Sequence, residues 1–217
     1  MIGTATPSGL HDFVFSIVSK TSPARGRALD LGTGPGAMGE RLHSLGFDVI
    51  AVDRDAAVYQ GSQKFFTQDL NERDFSAHIG PASFDLIVSV EVIEHVESPI
   101  NFLKNVGQLL APAGRAVITT PNVDSLPARL RFLFGGKIRM MDEYSDPTHI
   151  TPIYMDLLRR QFLPQADLQL AEHYVFPPKG YQLTRQPMAS ALALIAPAFR
   201  GDSVLGDNHV FVLEAAK

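Results

Sequence analysis

From Arg25 to about Thr120, short apolar runs alternate with longer stretches whose apolar residues recur at helical spacing. This is the pattern of a mostly parallel sheet covered by helices on both faces. Strands are predicted near Arg27–Leu31, Asp48–Val52, Lys64–Thr67, Phe84–Val90 and Arg115–Thr120, and helices near Gly36–Leu45 and Pro99–Leu110. Gly46 suits the residue after the first helix, and Pro99 the first turn of the second. Ala111-Pro-Ala-Gly114 is expected to end that helix and turn the chain into the fifth strand. After Pro121 the regularity fades. Asp124–Phe134 and Ile153–Leu163 keep helical spacing, Gly135–Pro152 reads as a long loop, and Leu168–Phe176 and Asn208–Glu214 read as two further strands. The expected class is α/β, with residues of about 122–163 forming an insertion over the substrate. No internal repeat is visible, and only Ala189–Ala198 is compositionally biased.

The 217 residues fit one domain, 1–217, with 45% hydrophobic and 19% charged residues, which is a globular composition. A formal charge of −4 argues against a surface that grips nucleic acid as a whole. The absence of cysteine removes disulfides, thiolate metal sites and a cysteine nucleophile, so imidazole chemistry falls to the seven histidines. Met1 to Leu10 lack a basic region followed by an apolar run, and no stretch approaches the roughly 18 apolar residues of a spanning helix. A cytoplasmic location is expected.

Two segments carry the candidate chemistry. Ala28-Leu-Asp-Leu-Gly-Thr-Gly-Pro-Gly36 is a strand followed by a glycine-rich turn, which brings backbone amides close to a ligand. Gly34-Pro-Gly36-Ala-Met-Gly39 matches the dinucleotide fingerprint, a short pattern shared by nicotinamide and S-adenosylmethionine proteins. Asp30 discriminates between them, because its carboxylate would repel a pyrophosphate and attract an ammonium and a sulfonium. Asp53, ending the second strand, can accept from both ribose hydroxyls or cap the segment that follows. Asp69 can accept from an adenine amine or simply be solvated. The second segment, Glu91-Val-Ile-Glu-His95, follows the fourth strand at the edge where open α/β sheets bind ligands. If it is helical, Glu91, Glu94 and His95 share a face. With His149 they form a set able to hold Mg²⁺, Mn²⁺ or Zn²⁺.

In this order the segments resemble a class I S-adenosylmethionine-dependent methyltransferase. The resemblance covers about Arg25 to Thr120 in motif detail and extends to Lys217 in architecture. It implies a Rossmann-like, doubly wound seven-stranded sheet of order 3-2-1-4-5-7-6 with the last strand antiparallel. Implied cofactor contacts are Asp30, Gly32, Gly34, Gly36, Asp53, Asp69, Ser89 and Val90.

Glu91-Val-Ile-Glu-His95, then Thr119-Thr-Pro-Asn122, then a histidine ahead of a helix, is similar to the ubiquinone-biosynthesis O-methyltransferases. It is also similar to the small-RNA 3′-terminal 2′-O-methyltransferases. The latter resemblance implies metal ligands at Glu91, Glu94, His95 and His149, and the former implies a catechol-like acceptor. The expected reaction is methyl transfer to a hydroxyl of a small molecule, with His149, His95 and Glu94 at the reactive end. Metal-free O- or N-methylation with a histidine base and a non-catalytic cofactor-binding module are the alternatives. A nicotinamide oxidoreductase is disfavoured by Asp30. Arg129-Leu-Arg-Phe-Leu-Phe-Gly-Gly-Lys-Ile-Arg139 carries four basic residues and no acid. It reads as a lid, a peripheral membrane element or an ordinary solvated helix. Nucleic acid is disfavoured as acceptor, because no RNA-binding module is recognisable.

Overall fold

The computed structural model describes residues 7–21, 26–80, 83–199 and 201–216. The first six residues, read above for a leader, lie outside these, as do Arg25 and Lys217 at the limits of the resemblance. Seven strands form one sheet: β1 (Gly26–Leu31), β2 (Phe47–Asp53), β3 (Lys64–Thr67), β4 (Phe84–Ser89), β5 (Leu110–Pro121), β6 (Leu168–Phe176) and β7 (Asn208–Ala215). Their order is β3-β2-β1-β4-β5-β7-β6. β1 to β5 pair in parallel, and β7 runs antiparallel to both β5 and β6. The predicted fold class and strand order are those observed.

Alternation along the central strands divides the core between two faces. Ala28, Val49, Leu86, Val88 and Val117 point to one side, while Leu29, Ile50, Ile87 and Ile118 point to the other. The first side is covered by α1 (Leu10–Thr21) and α2 (Ala37–Ser44). The second is covered by α4 (Pro99–Leu109) and by the helical run of α6 (Met155–Leu157), a π turn (Leu158–Phe162) and α7 (Leu163–Gln165). Short α3 (Phe75–Ile79) precedes β4. A third, smaller core joins α5 (Leu126–Gly135) to α8 (Met188–Ile195) through Leu126, Tyr181, Ala189 and Leu192.

Four departures from the expected elements have local causes. Helix α1 was not anticipated, although Leu10, Val14, Ile17 and Val18, all buried, have the i, i+4, i+7, i+8 spacing of an amphipathic helix. The stretch 111–114 does not separate α4 from β5: Leu110 already pairs with Phe84, a wide bulge follows, and Arg115 pairs with Leu86. The second helix of the insertion opens into a π turn beside Pro164, which lacks an N–H and cannot continue an α-helical ladder. The residues after β4 form only a single 3₁₀ turn, Ile93–His95, which changes the relation of the two glutamates.

Candidate active site

Strand order reverses between β1 and β4, so the loops leaving these two strands diverge and open a crevice at the carboxyl edge of the sheet. A cavity of about 690 Å³ occupies it, lined on one side by Asp30, Gly32, Thr33 and Gly34 and on the other by Glu91, His95 and His149. That volume suits a nucleoside-sized ligand together with a small second molecule.

Gly32 and Gly34 follow β1 with φ of 71° and 52°, in the left-handed region. A Cβ on Gly32 would stand 2.4 Å from Val92, so the close approach of the β1 and β4 loops requires glycine there. A Cβ on Gly34 would meet nothing and would project into open space. Gly34 N–H donates to Asp53 Oδ2 at 2.8 Å, and Asp53 Oδ1 accepts from Asp55 N–H at 3.1 Å. Asp53 therefore braces the glycine turn as well as ending β2. Asp30 is buried, accepts from Thr33 Oγ1–H at 2.6 Å, and has its pKa raised to about 6, chiefly by burial.

The other wall is built by the turn after β4. Glu91 has φ of 56°, and this left-handed residue turns its carboxylate towards β5 and β7. Thr119 Oγ1–H donates to Oε1 at 2.7 Å and Asn208 Nδ2–H to Oε2 at 2.6 Å, while Glu91 N–H donates back to Thr119 Oγ1 at 3.0 Å. Burial raises its pKa to about 7 against the pull of these donors. Glu94 is wholly buried, with buried Thr120 as the side-chain donor beside its carboxylate. Burial, and then the charge of Glu91, push it well above the usual carboxylate range.

The insertion closes over this wall by backbone bonds. Ile150 and Thr151 N–H both donate to the Glu94 carbonyl at 3.0 Å. His95 Nδ1 lies 3.0 Å from the Thr148 carbonyl and His149 Nδ1 lies 2.7 Å from that of Met140. A carbonyl can only accept, so each Nδ1 carries a proton, and Nε2 is the atom that holds the lone pair in the neutral ring. The two rings stand edge to face, 4.7 Å apart. Burial first, and His149 second, lower the pKa of His95 and favour its neutral form.

The structure thus brings Glu94, His95 and His149 together, with one ligand atom from each lying within 4.8 Å of the others. Glu91 falls outside that set, because a 3₁₀ turn preceded by a left-handed residue does not align residues three and four apart as an α-helix would. Among the expected cofactor residues, Asp30, Gly32, Gly34 and Val90 line the cavity, whereas Gly36, Asp53, Asp69 and Ser89 do not. Gly36 caps α2, exposed Asp69 accepts from Asn71 N–H, and the buried Ser89 hydroxyl donates to the Leu31 carbonyl, tying β4 to β1.

Sequence reasoning named Arg131 and Arg139 only as part of the basic segment read as a lid, and missed His11 and Asp142 on the cavity wall and Asp207 and Asn208 behind it. The periodicity of α1 signalled His11. Nothing local signalled Asn208, which reaches Glu91 across 117 residues. Arg131 pairs with Asp142 at 2.6 Å, Lys137 pairs with Glu143, and Arg139 forms a buried pair with Asp207 at 2.9 Å. The basic residues that continue from α5 are therefore engaged within the protein, and Phe132, Leu133 and Phe134 are left exposed.

A β-sheet of this order with a glycine turn after β1 and an acid ending β2 defines a class I methyltransferase fold. Residues 8–173 match a family model described as a methyltransferase domain, and the chain belongs to that family. It is 36% identical over 105 residues to a ubiquinone biosynthesis O-methyltransferase of Caulobacter sp. (strain K31), a match covering 44% of this chain and 41% of that one. It is 31% identical over 163 residues to the enzyme of the same description from Roseobacter denitrificans, covering 69% of this chain and 65% of the relative. The chain therefore spans less than two thirds of the length of either relative. In fold it is similar to methyltransferases from Archaeoglobus fulgidus (TM-score 0.61, 15% identity, 94% and 93% of the two chains) and Clostridium acetobutylicum (0.62, 12%, 95% and 91%).

Proposed function

We propose that this enzyme methylates a hydroxyl oxygen of a small molecule, with an acceptor of catechol, quinol or sugar-diol type. The observation that carries this reading is the position of His95 and His149, backed by buried Glu94, across one cavity from the glycine turn, in a chain related to ubiquinone biosynthesis O-methyltransferases. The glycine turn, with no Cβ at Gly32 and Gly34, would let the cofactor approach the backbone closely, and Asp30 would supply a carboxylate to its cationic end. The acceptor hydroxyl yields its proton to a histidine Nε2, and its oxygen attacks the methyl carbon in line with the C–S bond. The C–S electron pair passes to sulfur, and neutral S-adenosylhomocysteine leaves. Orientation and proton removal are the two contributions this chain makes to that step.

The donor set also fits a divalent ion. Glu94 supplies a buried carboxylate, and one ligand atom from each of Glu94, His95 and His149 lies within 4.8 Å of the others. A mixed nitrogen and oxygen set suits Zn²⁺ or Mn²⁺ better than Mg²⁺. When bound, such an ion would lower the pKa of the acceptor hydroxyl and chelate two vicinal oxygens. The test is calorimetric titration of Mg²⁺, Mn²⁺ and Zn²⁺ into the S-adenosylhomocysteine-saturated protein, repeated for Glu94→Ala and His149→Ala. Binding that both substitutions abolish supports a chelated diol. No binding by the native protein leaves O-methylation with His95 or His149 as base, and His149→Ala then lowers kcat on the order of 10²–10⁴-fold.

A further inference from the structure

Glu91 is the acid on the β4 side of the cavity wall that stands beside the Glu94, His95 and His149 cluster without belonging to it. It lines the cavity, yet both its oxygens are already held, one by Thr119 from β5 and one by Asn208 from β7. Both partners are wholly buried. Their donors are neutral, so the two hydrogen bonds orient the carboxylate and favour its ionised form against burial, which raises its pKa to about 7, and an approaching cation favours that form further. Asn208 is also anchored from both sides. Its neighbour Asp207 holds Arg139 and accepts from Leu183 N–H, and its backbone belongs to the β5–β7 ladder, where it faces Pro121. A fixed carboxylate in a cavity that receives a sulfonium is a charge placed in advance.

We propose that the Glu91 carboxylate is the counter-charge for the sulfonium of the cofactor, and that Asn208 is the positioning residue that aims it. The reading rests on S-adenosylmethionine being the cofactor and names a role for Glu91 other than metal ligation. It has a consequence for turnover. Methyl transfer converts the sulfonium to a neutral thioether, so the attraction to Glu91 exists for the substrate form of the cofactor and vanishes for the product form. Glu91 therefore biases the site towards the methyl donor, and transfer itself removes that bias.

The experiment is calorimetric measurement of Kd for three ligands on the full chain: S-adenosylmethionine, its cationic amine analogue in which an aminomethine replaces the sulfonium, and S-adenosylhomocysteine. The proteins are the native chain, Glu91→Gln, and Asn208→Ala. Glu91→Gln keeps the shape and removes the charge. It is expected to weaken the two cationic ligands about tenfold, as for the loss of one partly desolvated charge contact, while the neutral product binds within about twofold of native. Asn208→Ala is expected to move the same ratio in the same direction by a smaller factor. A merely structural role would weaken all three ligands alike, and that result, or an unchanged ratio in Glu91→Gln, overturns the proposal. Should Asn208→Ala fail to fold, Glu91→Gln still decides the counter-charge, and Asn208→Ser, which shortens the side chain and withdraws the amide donor, decides the positioning role. A native chain that binds none of the three would overturn the cofactor reading itself and this proposal with it, whereas binding without discrimination overturns only the latter.

Discussion

Asp30 sits where β1 leaves the core, and its burial makes the ionised form costly. Its folded-state pKa of about 6 lies above the ordinary 3.8, so the native state holds the extra proton between those values. Stability from this group is full below the lower value and is lost as pH rises through the upper one. At pH 7 to 8 the penalty is roughly 2–3 kcal/mol. Asp30→Asn is therefore expected to raise the stability of the ligand-free protein at pH 8 and to leave it little changed at pH 4, as read by urea denaturation. The same substitution should weaken S-adenosylmethionine by about tenfold or more, because the cation loses its carboxylate. An Asn variant that is no more stable at pH 8 than at pH 4, relative to native, would contradict this account. The identity of Asp30, with the glycines beside it, was readable from residue types at fixed spacing. The raised pKa was not, since it arises from the burial of the carboxylate in the folded protein, which outweighs the donors at Thr33 and Gly39.

The long insertion is held by the apolar faces of its helices, which enter two cores through Leu126, Ile153, Met155, Leu158 and Leu163, and by polar contacts at the site. Its backbone joins the turn after β4 through Ile150 and Thr151, and its Arg139 reaches the start of β7 at Asp207. Both partners of that pair are almost wholly buried, so removing one leaves an uncompensated charge in the interior. Arg139→Ala is expected to cost about 3–5 kcal/mol, and Arg139→Met combined with Asp207→Asn to recover most of it. Equilibrium unfolding of the two variants measures both, and equal losses in single and double variants would show that the pair is not what holds the insertion. The expected helices of the insertion, Asp124–Phe134 and Ile153–Leu163, appear as α5 and as the α6–π–α7 run, because apolar spacing reports the buried face whatever the partner. What they pack against was not legible. Leu126 meets Tyr181 and Leu192, more than fifty residues on, in a core that no local pattern announces.

At the scale of the molecule, one crevice at the strand-order reversal collects residues from the glycine turn, the β4 loop and the insertion. A ligand that bridges them binds only the folded form, so S-adenosylhomocysteine at a hundredfold excess over its Kd should stabilise the protein by about 2.7 kcal/mol. A thermal melt with this ligand and with NAD separates the methyltransferase fold from a nicotinamide enzyme: a shift with the former and none with the latter is expected. No helix among the described residues is long and apolar enough to cross a membrane. By itself the sequence determined the α/β class, the order of the elements, the glycine turn with Asp30, and the candidate reactive set, because strand alternation, turn chemistry and charge sign are properties of neighbouring residues. Only the tertiary structure separated Glu91 from Glu94, His95 and His149. That division depends on a left-handed backbone at one residue and on hydrogen bonds from Thr119 and Asn208, which reach the site from strands β5 and β7 that lie far along the chain.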